Sequence, residues 1–118
     1  MKIVFLSLGL SFFSYLLLAQ QAEIVKGTPD PTQKIEKAEV ACGQCQFGLK
    51  GKGCDLAIRI RDTAYFVDRM HIDSLGDAHA ADGFCNSIRK AKVQGYLINN
   101  RFQLTYIKLL PTPFNKPE

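Results

Sequence analysis

A chain of 118 residues, 47% hydrophobic and 22% charged, is long enough for one domain but gives it only a marginal core, because small chains bury a lower fraction of their surface. Fifteen Lys and Arg against eleven Asp and Glu leave a formal charge of +4. That mild bias falls short of the concentrated basic stripe a nucleic-acid binder needs.

The N-terminus sets the compartment. Lys2 is followed by an uncharged, mostly apolar run from Ile3 to Ala19, the n-region and h-region of an export signal. A membrane span wants about 20 apolar residues, and this run is slightly short and includes Ser7, Gly9, Ser11 and Ser14. We therefore expect a signal peptide over 1–19, cleaved after Ala19 or Ala22, a periplasmic or secreted mature protein, and no stable membrane span after cleavage. Loss of Lys2 reduces the fifteen basic residues to fourteen against eleven acidic ones, a mature charge of +3.

Residues 20–36 include Gly27, Thr28, Pro29, Asp30 and Pro31 with no lasting period and read as a flexible leader. A domain is expected over 37–110. Its first strand, Lys37 to Ala41, is weakly signalled and leads into the glycine-rich loop Cys42-Gly43-Gln44-Cys45-Gln46-Phe47-Gly48-Leu49-Lys50-Gly51-Lys52-Gly53-Cys54. Leu56, Ile58 and Ile60 then alternate with Asp55, Ala57, Arg59 and Arg61, the period of a half-buried strand. After a turn at Asp62-Thr63, Ala64 to Asp68 supply a third strand rich in aromatic and β-branched residues.

Met70 to Ala81 is a loop carrying His71, Asp77 and His79. Asp82 suits a helix N-cap, and Phe84, Ile88 and Ala91 follow at helical spacing, which predicts a helix from Gly83 to about Ala91. Val93 to Ile98 and Arg101 to Leu110 flank Asn99-Asn100, a pair that tolerates the positive φ of a tight hairpin. The second arm alternates at Phe102, Leu104 and Tyr106, then shifts to Ile107 and Leu109, which predicts a bulge near Tyr106. Residues 111–118 form a proline-rich tail. The order β-β-β-α-β-β predicts a mostly β fold with one short helix, a small five-stranded barrel of the oligonucleotide/oligosaccharide-binding (OB-like) type. The alternative is an α+β domain stitched by disulfides.

Function turns on Cys42, Cys45, Cys54 and Cys85. In an oxidising compartment four cysteines in a small domain most often make two disulfides, with three connectivities open. Each such bridge contributes about 2 to 5 kcal/mol. A second reading is a zinc-type metal site, since Cys42-x-x-Cys45 is a knuckle that turns two thiolates onto one ion, with Cys54 and Cys85, or His79 in place of one, completing the set. The third is dithiol redox chemistry; here Gly48, Gly51 and Gly53 argue against a helix after Cys42, whereas Cys85 falls in the first turn of the predicted helix, where a thiolate is favoured.

His79 lies among small residues with Asp77 placed to orient its ring, making the pair metal or ligand candidates. His71 reads as a surface histidine. The chain contains no His-Glu-x-x-His, Gly-x-Ser-x-Gly or phosphate-loop motif, so no catalytic residue is assigned. Lys50, Lys52, Arg59, Arg61, Lys90, Lys92 and Lys108, with Tyr65, Phe66, Tyr96 and Phe102, would suit a single-strand binding face, but an export signal and charges alternating with apolar residues disfavour nucleic acid. The favoured reading is an exported, non-enzymatic binding or structural domain for a small ligand or protein, its cysteines in disulfides and with no cofactor. A metal-binding protein and a thiol redox protein are the alternatives.

The segments Cys-Gly-Gln-Cys-Gln-Phe-Gly and Lys-Gly-Lys-Gly-Cys-Asp-Leu-Ala within Cys42 to Ala57, and Gly-Asp-Ala-His-Ala with Asp-Gly-Phe-Cys within Gly76 to Cys85, resemble a family of small, signal-bearing bacterial proteins of unknown function. The resemblance runs from Ala41 to about Leu110. It implies a bacterial exported protein and carries no activity, cofactor or catalytic residue.

Overall fold

The computed structural model describes residues 24–111. The expected signal peptide (1–19) and all but Pro111 of the proline-rich tail lie outside them.

Alternation builds the barrel. In β3 (Leu56–Ile60), Leu56, Ile58 and Ile60 point into the core, and Arg61 and Asp62, both at positive φ, turn the chain into β4 (Thr63–Asp68). In β2 (Glu36–Cys42), Ala38, Val40 and Cys42 face the same core, while Glu39 points outward to an ion pair with Arg59 at 2.7 Å. β2 pairs antiparallel with β3 on one side and with β5 (Arg89–Ile98) on the other. β5 turns at Asn99 and Asn100, again at positive φ, into β6 (Arg101–Leu109).

A short parallel pairing, Val67 with Phe102 and Asp68 with Gln103, joins β4 to β6 and closes the ring β2-β3-β4-β6-β5. The described residues are thus mostly β with one short helix and a closed five-stranded barrel, the barrel as the strand pattern predicts. The strand order, with its third and fifth barrel strands parallel, is OB-like. Ile58, Ile107, Val40, Val93 and Cys42 are fully buried at its centre.

The expected bulge is present. Gln94 pairs with Tyr106 but Gly95 pairs with Leu104, so Thr105 is the extra residue, and its hydroxyl donates to the Gln94 carbonyl at 3.1 Å. This is why the core phase of β6 changes from Phe102 and Leu104 to Ile107 and Leu109. Within the stretch read as a leader, Ile24–Lys26 forms β1 on the far edge of β6, beside Ile107 to Leu109. The Gln94 side chain, 3% exposed, anchors the chain that follows: it accepts from the Asp30 N–H and donates to the Asp30 and Gln33 carbonyls.

The helix expected over Gly83–Ala91 is absent. The Asn86 and Ser87 N–H groups both donate to the Gly83 carbonyl, making a single turn. From Arg89 the chain is taken up by β2, with Lys90 opposite Glu39 and Ala91 opposite Ala38. Ladder pairing along a buried strand outweighs the helical spacing of Phe84, Ile88 and Ala91. The helix among the described residues is α1 (Gly43–Gln46), between the first and second barrel strands, inside the cysteine loop.

Two outcomes follow from these contacts. A Cβ at Gly95 would collide with the Gln103 carbonyl and the Phe102 ring, so Gly95→Ala should destabilise by about 1 to 3 kcal/mol in urea unfolding. Hydrogen bonds from Arg101 and then Gln103 hold the Asp68 carboxyl below its ordinary 3.8. Its stabilisation is therefore complete above that value and is lost as the pH falls through the lowered one. Asp68→Asn should flatten the acid limb of melting temperature against pH, measured from about pH 5 to about pH 2.

Candidate metal centre

The site begins where β2 stops. Cys42 keeps extended backbone (φ −66°, ψ 124°) and caps α1 with its sulfur, which accepts from the Cys45 N–H at 3.3 Å. The thiol takes the place of the oxygen that usually caps a helix. One helical turn then brings Cys45 back over Cys42. The glycines expected to prevent a helix come after it: α1 has ended at Phe47 before Gly48 is reached.

Gly43 makes the turn possible, because a Cβ there would lie 2.6 Å from the Phe66 ring and 3.0 Å from the Ala57 methyl. Its N–H donates to the Asp55 carbonyl at 2.8 Å, and its carbonyl accepts from Phe47 and Leu49. The ring of Phe47 lies under the Arg59 guanidinium, 4.7 Å away, which presses the loop against the barrel.

Gln44 holds the two ends of the loop together. Its carbonyl oxygen accepts from the Asp55 N–H at 2.9 Å and from the Cys42 thiol at 3.6 Å, and its amide donates to the Asp55 carboxylate at 2.8 Å. Gly53, at φ +88°, then sets Cys54 beside Cys45 with the sulfurs 3.5 Å apart.

Cys85 arrives from the other loop without a helix. Phe84, 3% exposed, is sunk in the core, and its carbonyl accepts from the Cys42 N–H at 2.9 Å. The Cys85 N–H donates to the Ala78 carbonyl at 2.9 Å, and the Gln46 amide donates to the Cys85 carbonyl at 2.9 Å. Cys85 is therefore not a helix N-terminal thiol, and the cysteine in that position is Cys42.

All four sulfurs lie within 4.8 Å of one another. Thiolates at about 2.3 Å from a tetrahedral ion stand about 3.8 Å apart, so the cluster fits a zinc-type ion with small adjustments. The expected pair of bridges is not seen: the four cysteines are free, with no two sulfurs at bonding distance. A disulfide needs sulfurs about 2.05 Å apart, and the sulfurs here surround one point in place of pairing off.

The thiols influence one another strongly. Burial is the largest effect on Cys42 and acts upward, but the donors around its sulfur, led by the Cys45 thiol and N–H, outweigh it and lower the pKa. Cys45, whose thiol hydrogen-bonds to Cys42 and Cys54, is pushed up to about 12, and Cys85, by burial and then by Cys54, to about 11. Thiols packed this closely resist sharing negative charge when no cation balances them.

His79 and Asp77 stand apart from this group. Their side chains are 77% and 71% exposed. Asp77 closes a turn by accepting from the His79 N–H at 2.9 Å, and its carboxylate lies 3.9 Å from the His79 ring. The cluster of potential metal ligands among the described residues is made of the four cysteines and includes neither. Sequence reasoning missed Gln44 and Gln46, whose signal was their placement around Cys45 on a one-turn helix.

Gly43→Ala should disturb the site most, by about 1 to 3 kcal/mol. Gln46→Ala, which removes one hydrogen bond between the loops, should cost about 0.5 to 1.5 kcal/mol. The order of the two urea midpoints checks the assignment.

No curated protein and no solved structure matches the chain. A family model does match residues 36–110. That range begins with β2, includes all four cysteines and runs just past β6, and the chain accordingly belongs to the family of unknown function DUF6370.

Proposed function

We propose that the protein is a small exported metal-binding domain in which Cys42, Cys45, Cys54 and Cys85 hold one zinc-type ion as thiolates. The observation that carries this reading is the convergence of four sulfurs within 4.8 Å, delivered by two separate loops. Soft thiolates select zinc and its chemical relatives over calcium or magnesium. Four protein ligands complete a tetrahedral shell and leave no position for a reacting water, which makes the centre structural or ion-carrying and not hydrolytic.

Export is supported by Lys2 and the apolar run from Ile3 to Ala19. Bound metal would also explain how four thiols stay reduced in an oxidising compartment. The cysteine loop is the first inter-strand loop of an OB-like barrel, a usual binding element of that fold, so a ligand or protein partner would be met at the same rim. Thiol redox enzymology is less well supported, because the thiol at the helix terminus, Cys42, is 0% exposed.

Native mass spectrometry of the mature protein, purified without chelator, tests the reading. The expected mass is that of the chain plus one zinc-type ion with no disulfide. Chelation should remove the ion and lower the melting temperature, and Cys85→Ser should weaken affinity by about tenfold or more. A metal-free mass four hydrogens short would overturn the proposal in favour of two bridges.

A further inference from the structure

The four sulfurs are not equivalent. Cys42 is 0% exposed and fixed in the sheet opposite Leu56, and Cys85 is half-buried on a carbonyl-anchored turn. Cys45 and Cys54 are both exposed, and their sulfurs are 3.5 Å apart. The inner pair is tied down by backbone hydrogen bonds on both loops. The outer pair is joined by a glycine-rich loop in which the space around Gly48 and Gly53 is open.

We propose that Cys45 and Cys54 are an oxidant-responsive pair: a peroxide converts them to a disulfide, removing two of the four ligands and releasing the ion. This rests on the metal-binding reading above. One outer thiolate attacks a peroxide oxygen. The O–O bond breaks, hydroxide leaves and is protonated to water, and the sulfur becomes a sulfenic acid. The second thiolate attacks that sulfur, the S–S bond forms, the S–O bond breaks, and a second hydroxide leaves as water. Two thiolates, one hydrogen peroxide and two protons become one disulfide and two waters. The sulfurs lose the two electrons that the peroxide oxygens gain.

Geometry selects this pair. Closing from 3.5 Å to a bond of about 2.05 Å is a movement of roughly 1.5 Å. Bonding through Cys42 would require its sulfur to leave the Cys45 N–H that it caps, at the end of a paired strand. An oxidant from solvent meets Cys45 and Cys54 first. Cys42 and Cys85 alone would then give a two-thiolate site, and a dithiol reductant would restore the four.

The zinc-loaded full-length mature protein should be titrated with hydrogen peroxide while an indicator dye reads free zinc, followed by peptide mapping under non-reducing conditions. The expected result is one zinc released per disulfide formed, a Cys45–Cys54 linkage, and rebinding after dithiothreitol. In Cys54→Ser the oxidation should stop at a sulfenic acid on Cys45, captured by dimedone. Zinc retained at peroxide levels that oxidise a free thiol, or a disulfide through Cys42 or Cys85, would overturn the inference and leave the metal reading standing. If the protein takes up no zinc, the metal reading and the release step fall together.

Discussion

At the end of β2 the backbone of Cys42 belongs to the barrel while its sulfur belongs to the loop. Its N–H is given to the Phe84 carbonyl, its sulfur caps α1, and its side chain is wholly buried. The two loops that supply the remaining sulfurs are both referred to this one residue. The Cys45 and Cys54 loop leaves from it, and the Cys85 loop is tied to it through Phe84. If β2 were displaced by one residue, the side chain of Cys42 would pass to the opposite face of the sheet and the convergence would be lost.

The barrel has an apolar core beyond the cysteine cluster. Val40, Ile58, Val93 and Ile107 form an apolar centre of their own, closed on all sides by hydrogen-bonded strands. The loops are different. Residues 43–55 and 69–88 carry few buried side chains apart from Gly43, Ile72, Ala78 and Phe84. Cross-linking of some kind suits segments with so little apolar surface to bury. The fold therefore separates two tasks: strands supply the stability, and the loops bring the sulfurs together.

Much of this was legible in the sequence, for definite reasons. Leu56, Ile58 and Ile60 show the period of a strand because one face is buried, and Asn99-Asn100 marks a hairpin because asparagine tolerates positive φ. The phase change at Tyr106 marks a bulge because an extra residue swaps the inward set. The failures are equally physical. Phe84, Ile88 and Ala91 imitate a helix because one turn followed by a strand places apolar residues at similar intervals. β1 has only three residues, and its partner is the distant β6. The grouping of four sulfurs at one point, and not in two pairs, comes from loop convergence, which no spacing along the chain encodes.

The joint between β4 and β6 has mechanical meaning. It consists of two residue pairs, against four in the next shortest seams of the ring, and is braced by Asp68 with Arg101 and Gln103. A hoop with one short joint flexes there first, and the wall facing the joint moves least. In the order β2-β3-β4-β6-β5 that facing wall is β2. The residue to which all the sulfurs are referenced thus sits on the wall farthest from that joint.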